Sequence, residues 1–254
     1  MTEEMSKNFN KVIGTDPSEN MLAAVHVPAS KDGKPSIEYK VASAEDLSFI
    51  ESNSVDLVAA GQAAHWFKQD KAFPEIARIL KPGGTLAFFC ILHSKAIKLT
   101  IGYGDVSFAG HPEINPILRH YMYGPNTLGP FWEEPSRSIV VNLYRDIIPP
   151  EALYKDVTRQ FFPRDSESGE REKIVHIPGK MTIAGNVRPY AKTWSSYHGW
   201  VSAFPDRKSR ENGGSGDILD EMFDALKETT GWGENSEFDL EWISCILLAR
   251  KRNL

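Results

Sequence analysis

Asp16 closes a short apolar run, Lys11-Val12-Ile13-Gly14-Thr15, and Pro17-Ser18 follow at once. A carboxylate in that place can accept two hydrogen bonds from neighbouring hydroxyls. The same residue type also suits the start of a helix, where it caps free backbone N–H groups. A second polar cluster is Ala42-Ser43-Ala44-Glu45-Asp46-Leu47. Its Glu45 and Asp46 suit either ligand contact or a solvated turn. A third run, Gln62-Ala63-Ala64-His65-Trp66-Phe67, puts an amide, an imidazole and an indole within five positions. An imidazole titrates near neutral pH, so His65 is a candidate general base, as is the later His198. Arg119, Arg137 and Arg188 could pair with an anionic ligand, although each equally suits a surface ion pair.

The segments that must hold these groups alternate between strand-like and helix-like patterns. Residues 11–15, 37–42 and 55–60 read as strands, the last nearly all apolar. Residues 17–25 read as a helix begun by Asp16 or Ser18. Gln69 to Leu80 reads as another, with Phe73, Ile76, Ala77 and Leu80 at helical spacing. Lys81-Pro82-Gly83-Gly84 is expected to stop it, since proline cannot continue a helix and glycine accepts left-handed angles. Residues 85–92 (TLAFFCIL) then form a strand. Such alternation argues for a parallel sheet flanked by helices, and nearly unbroken apolar runs fit strands covered on both faces. In parallel-sheet proteins ligands bind beyond the carboxyl ends of the strands, which is where residues 62–66 would lie.

The rhythm changes after residue 92. Residues 94–136 are rich in Gly, Pro, Tyr and Trp. Residues 137–148 look helical, 156–162 strand-like, and 163–172 read as a polar surface loop. Residues 194–204 look helical and 207–216 read as a loop. Residues 217–229 form an amphipathic helix with Ile218, Leu219, Met222, Phe223 and Leu226 on one face. Residues 238–250 form a long closing strand. The whole reads as one domain, 1–254, with a first half over 1–92 and a second region over 93–254.

Bulk properties narrow the function class. The chain has 254 residues, 41% hydrophobic and 25% charged, with a net charge of -5. That balance argues against a general nucleic-acid grip, which needs clustered Lys and Arg. No window approaches the roughly 18 apolar residues of a membrane helix, and the first residues carry no apolar stretch of a signal peptide. The two cysteines, Cys90 and Cys245, sit in apolar runs and read as buried thiols, with no metal-ligand spacing. A cytoplasmic setting with no nucleic acid, no membrane and no metal follows as the expectation.

Four segments, in order, resemble the class I S-adenosylmethionine-dependent methyltransferases: V-I-G-T-D-P-S, A-S-A-E-D-L, V-D-L-V continuing through Q-A-A-H-W-F, and R-I-L-K-P-G-G-T-L. The resemblance is close over residues 5–92 and patchy beyond. It implies a Rossmann-like α/β fold with helices on both faces of the sheet and an inserted helical acceptor-pocket region. It implies S-adenosylmethionine as cofactor, with Asp16 on the ribose hydroxyls and Pro17 beside it. Ser43, Ala44 and Glu45 would lie against the adenine ring, although Ser43 stands where many members have an acid. Gln62 and His65 would lie near the sulfonium and the incoming nucleophile. The Q-A-A-H-W-F run and Lys192-Thr193-Trp194-Ser195-Ser196-Tyr197-His198 resemble the fungal branch that contains trans-aconitate methyltransferase. They place Trp66, Trp194, Tyr197 and His198 in the acceptor pocket. The last strand, with Trp242 and Leu247-Leu248-Ala249-Arg250-Lys251, fits the family's closing strand.

The family's first strand and its G-x-G-x-G loop have no counterpart here. An N-terminally truncated chain is therefore expected, in which the strands at 11–15 and 55–60 each carry an unpaired edge. The alternative is that these two strands close up and pair directly. The leading functional expectation is O-methylation of a small carboxylic acid such as trans-aconitate. The alternative is a catalytically inactive methyltransferase-like chain that does not bind cofactor productively. An NAD-binding oxidoreductase fits the acid after the strand but not K-P-G-G or Q-A-A-H-W-F.

Overall fold

A computed structural model describes residues 1–23, 25, 36–93, 107–108, 112–162, 181–238 and 240–253. The chain opens with a short helix α1 (Thr2–Met5), then β1 (Lys11–Asp16), α2 (Glu19–Ala23), β2 (Ser36–Val41), β3 (Val55–Gly61), α3 (Gln69–Ile79) and β4 (Leu80–His93). There follow β5 (Ser107–Phe108), α4 (Asn115–Tyr123), α5 (Ser136–Val141), β6 (Tyr154–Phe162), β7 (Met181–Thr182), α6 (Arg188–Ala191) and α7 (Ser195–Ala203). The last elements are α8 (Ile218–Thr230), β8 (Glu237–Phe238) and β9 (Leu240–Lys251). The result is a mixed α/β fold in which β1–β2 and β3–β4 are parallel pairs. Among the described residues, no helix is long and apolar enough to cross a membrane.

The described residues form two compact units. The first comprises residues 1–89, 148–158 and 247–254, and the second comprises residues 90–147 and 159–246. In the first, β1 runs parallel to β2 from Lys11 opposite Ser36 to Asp16 opposite Val41. These two strands make a sheet of their own. β3 lies at one end of the second sheet, in the order β3-β4-β9-β5, with β6 also on β9. Among the described residues β1 and β3 are thus not ladder partners, so the direct pairing of the two strands is not seen there.

Helix α3 earns its place by one apolar face. Ala72, Phe73, Ile76, Ala77 and Ile79 are all buried. The Phe73 ring packs 6.0 Å from Phe88 of β4 and edge-on, 5.6 Å, to Tyr154 of β6. The Tyr154 hydroxyl donates to the Phe73 carbonyl, 2.8 Å away, so a buried phenol is satisfied by main chain. Helix α3 ends at Ile79, just before Lys81-Pro82-Gly83-Gly84 as expected, but the strand does not wait for Thr85. The strand already begins at Leu80, and the four residues bulge out: Val55 faces Leu80, while Leu57 faces Thr85. Gly83 has φ +75°, which lets the bulge turn. Lys251 of β9 is buried there, its Nζ 2.7 Å from the Leu80 carbonyl and 2.5 Å from Asn53 Oδ1. Burial holds that ammonium below the usual lysine range.

The second unit is built around α4, α7 and α8. Leu118 and Met122 pack in one cluster with Trp194, Trp200, Ile218, Leu219, Met222, Phe223 and Leu226. The amphipathic face expected for 217–229 is therefore the buried face of α8. Asp217 starts that helix: Oδ1 accepts from Leu219 N at 3.0 Å and from Asp220 N at 2.9 Å, and Asp220 Oδ2 accepts from Asp217 N at 3.1 Å. This reciprocal pattern satisfies donors that a helix start leaves free. The helix expected over 137–148 is shorter: α5 ends at Val141, and Leu143 and Tyr144 adopt φ of +52° and +56°. Tyr144 and Ile147 are fully buried from this turn, so tertiary burial overrides the helical spacing. The loop expected over 163–172 and most of 94–111 fall outside the described residues. The strand expected over 156–162 starts at Tyr154, and the closing strand is split into β8 and β9.

Asp217 also accepts from the Tyr197 hydroxyl at 2.6 Å and is almost fully buried. Replacing it by Ala (D217A) removes a cap and leaves a phenol without its acceptor. The expected loss is about 2 kcal/mol, read as a lower urea midpoint with an unchanged slope.

Candidate active site

Parallel strands carry the candidate groups to one end of each ladder. Asp16 is the last residue of β1, opposite Val41 of β2, and Ala42 N donates to the Asp16 carbonyl at 3.2 Å. The polar run 43–46 therefore leaves β2 alongside Asp16. The Asp16 carboxylate accepts from Ser18 N at 2.8 Å through Oδ1. It thus serves the turn into α2, as a cap would, with one oxygen. Pro17 is exposed and fixes the turn.

The loop after β2 is fastened to α3. Glu45 Oε1 accepts from Lys68 N at 2.7 Å, the residue just before that helix. A carboxylate at a helix start satisfies a free donor and complements the helix dipole. Leu47 N donates to Glu75 Oε1 at 2.8 Å, and Arg78 Nη2 donates to the Leu47 carbonyl at 3.0 Å. Arg78 Nη1 donates to the Ile50 carbonyl at 2.9 Å and to Ser52 Oγ at 3.0 Å. Arg78 and Glu75 face each other through Nε–Oε2 and Nη2–Oε1, both 2.8 Å. Asp46 accepts from Ser48 N at 3.2 Å, and the Ser48 side chain together with that N–H holds its carboxyl below the usual range. Ser43 and Ala44 are half-buried.

Gln62 follows β3, with its N–H on the Phe89 carbonyl at 2.9 Å and φ at +53°. A left-handed glutamine is strained by about 1 kcal/mol or more and persists only where its surroundings impose it. Gly61 before it admits no side chain: a Cβ there would lie 2.4 Å from Phe89 Cζ. His65 and Trp66 sit in a 3-10 turn, Ala64–Trp66, with ring centres 5.1 Å apart. His65 is half-buried, and Trp66 is 49% exposed, so core packing does not account for that indole. In the first unit Ala42 N thus links the loop after β2 to the Asp16 carbonyl, and the Glu45 carboxylate links it to Lys68 N.

Trp194, Tyr197 and His198 belong to the second unit. Trp194 is buried among aromatic rings: Trp132 and Tyr190 are each 6.0 Å away. Arg137 lies over Trp132 at 4.4 Å and over Tyr123 at 4.9 Å. Arg188 is committed elsewhere, to Asp220 at 2.9 Å and Glu234 at 2.6 Å, and stacks on Phe223. Tyr197 lines a cavity of about 340 Å³ with Val201, Lys208, Ser209, Asn212 and Asp217. Burial and the Asp217 contact push its phenol well above the ordinary tyrosine range, so it stays protonated near neutral pH. His198 is exposed. Among the described residues, no three His, Cys, Asp or Glu side chains are grouped to hold a metal. The glycine pairs Gly83-Gly84 and Gly213-Gly214 lie at a strand bulge and beside a 3-10 turn, not between a strand and a helix.

Comparison with known proteins gives these placements a context. Residues 1–88 match the profile of a family described as a methyltransferase domain. That stretch is thus similar to a methyltransferase domain. It is similar to a probable S-adenosylmethionine-dependent methyltransferase of Saccharomyces cerevisiae, 26% identical over 96% of this chain and 79% of that protein. It is also similar to a candidate methyltransferase of Dictyostelium discoideum, 24% identical over 98% of this chain and 78% of that one. The solved structure of a candidate type II methyltransferase from Anaeromyxobacter dehalogenans shares the fold, with a TM-score of 0.60, 23% identity and coverage of 97% of this chain and 83% of that chain.

Sequence reasoning missed Glu75 and gave Arg78 no part in the site. The signal available was their spacing: three apart on a helix, a carboxylate and a guanidinium share a face. Two outcomes follow. Q62G should unfold no more readily than the parent, whereas Q62V should lose about 1–2 kcal/mol in urea unfolding, because a branched residue resists positive φ. The Arg78 guanidinium holds the Glu75 carboxyl below the usual range. Glu75 therefore stays ionised in the folded chain at pH values where the unfolded chain has bound a proton. Its contribution is complete above the ordinary carboxylate range and fades as pH falls through the lowered value. Below about pH 4.5 the parent should lose stability more steeply than E75Q, read from urea midpoints across pH.

Proposed function

We propose that this methyltransferase takes the methyl group of S-adenosylmethionine and places it on an oxygen of a small carboxylic acid. The observation that carries the reading is Asp16: its carboxylate ends β1 beside the backbone leaving β2, and only one oxygen is used by the turn. Oδ2 is then available for a ribose hydroxyl. Pro17, Ser43, Ala44 and Glu45 complete the nucleoside contacts, and Gln62 the edge toward the sulfur. The relative from Saccharomyces cerevisiae, whose name states S-adenosylmethionine dependence, supports the cofactor.

When bound, the cofactor supplies an already activated methyl group, so the protein's task is alignment rather than activation. A carboxylate acceptor is ionised at neutral pH and needs no base. Its oxygen would receive the methyl group that the cofactor would supply, so the residues around it need only hold it in line. Gln62 and His65 are assigned to orienting the reacting centre; with a hydroxyl acceptor His65 would take the proton. Trp66, Trp194, Tyr197 and His198 are assigned to the acceptor. Arg137, over Trp132 in the same aromatic cluster as Trp194, is the cation we assign to its carboxylate. Trans-aconitate is the representative substrate, from the likeness of Q-A-A-H-W-F and T-W-S-S-Y-H to that branch.

A second reading is a methyltransferase-like chain that does not bind cofactor productively. The separate β1–β2 sheet favours it, since the Asp16 tip lacks a ladder to β3. Titration calorimetry with S-adenosylhomocysteine separates the two. Binding that D16A weakens by roughly 30-fold or more supports the enzyme, the cost expected for a charged hydrogen-bond acceptor. Absence of binding heat and of any thermal shift for the parent chain would overturn it. Methyl transfer to trans-aconitate, followed by mass spectrometry, tests the acceptor.

A further inference from the structure

Helix α3 holds the loop that follows β2 through side chains outside every contact assigned so far. Leu47 is gripped at both main-chain groups: its N–H by Glu75 Oε1 at 2.8 Å and its carbonyl by Arg78 Nη2 at 3.0 Å. Arg78 also reaches Ile50 and Ser52 through Nη1. The guanidinium fork meets Glu75 in two parallel contacts of 2.8 Å, so neither side chain is free to turn. Arg78 stands in the R-I-L-K-P-G-G segment, which by sequence shapes only a turn. Its side chain points instead at residues 47–52.

Two residues upstream of Leu47 lies Glu45, which is tied to Lys68 N at the start of the same helix. The segment 45–52 is therefore splinted along α3 at both ends, with Ser43 and Ala44 immediately before the splint. A planar ligand edge read by main-chain groups needs those groups fixed to within a fraction of an ångström, since small displacements cost large factors in binding and rate. We propose that Arg78 and Glu75 are positioning residues for cofactor binding, holding the Ser43–Leu47 loop in the one conformation that receives the adenine end of the cofactor. This rests on the cofactor assignment under Proposed function. A lysine would carry the charge but not the fork, so it could serve Leu47 or Ile50 but not both together.

The test is S-adenosylhomocysteine affinity by titration calorimetry on the full chain, for the parent, R78M, R78K and E75Q. Measurements are made at 10–15 °C below each variant's unfolding onset, with circular dichroism as the check of folding. R78M should bind about tenfold more weakly or worse, and R78K should recover part of the loss. E75Q keeps an acceptor for Leu47 N–H but releases the guanidinium, and should fall between parent and R78M. If R78M does not fold, E75Q decides. Variants that melt earlier yet bind with the parent's Kd would show a purely structural clamp and overturn the proposal while leaving the cofactor assignment intact. No binding by the parent itself overturns both.

Discussion

Leu47 gives both of its main-chain groups to helix α3, and the geometry around the first unit's strand tips depends on that grip. Between β2 and β3 the chain must travel from Val41 to Val55 without a ladder of its own. Thirteen intervening residues with no repeating hydrogen bonds would sample many conformations, at a cost of roughly 1–2 kcal/mol per residue when fixed. The Glu75–Arg78 pair replaces a ladder with six side-chain hydrogen bonds, three to main chain, one to Ser52 and two to each other. Both groups are partly shielded, the Arg78 side chain 33% and that of Glu75 17% exposed, so their attraction is screened less than that of a surface pair. The contrast is Lys81–Asp56, 46% and 62% exposed, whose 2.8 Å contact lies in water and contributes little.

How much of this was readable beforehand differs by element. Helix α3 was legible because Phe73, Ile76 and Ala77 repeat at helical spacing and all three are buried. Helix α8 was legible for the same reason, with an acid placed at its start. The β strands at 11–16, 36–41 and 55–61 followed from short apolar runs. The Lys81–Gly84 bulge was not legible, because proline and glycine mark a turn equally well between elements or inside one. Residues 142–147 misled because Val140, Tyr144 and Ile147 have helix-like spacing while two consecutive left-handed residues bury them from a turn. Sequence placed Asp16 at the end of a strand, where it closes β1, and Gln62–Trp66 beyond one, where they follow β3. It could not show that Glu45 spends an oxygen on Lys68 N, or that the loop is held from α3, because those contacts join residues 23 to 31 apart.

In the second unit, polar groups are consumed in pairs. Tyr197 is tied to Asp217, Arg188 to Asp220 and Glu234, and Arg210 to Asp224 at 2.9 Å. Asp217 and Asp220 each serve a helix start and a partner from another segment, so α8 fixes the direction of both. Of the three arginines singled out by sequence, Arg188 is thereby structural. The Arg137 guanidinium rests over the Trp132 and Tyr123 rings, 4.4 and 4.9 Å from their centres.

Lys251 reaches across 171 residues to the Leu80 carbonyl and across 198 to Asn53. The first unit is assembled from residues 1–89, 148–158 and 247–254, so its last piece leaves the ribosome long after its first. Until then β4 has no β9 beside it, and one side of a strongly apolar strand must wait unpaired in a growing polypeptide. Pairings of such separation close slowly. The nascent protein is therefore most prone to self-association while residues 90–240 are being made, and a cell expressing it depends on chaperone capacity during that interval.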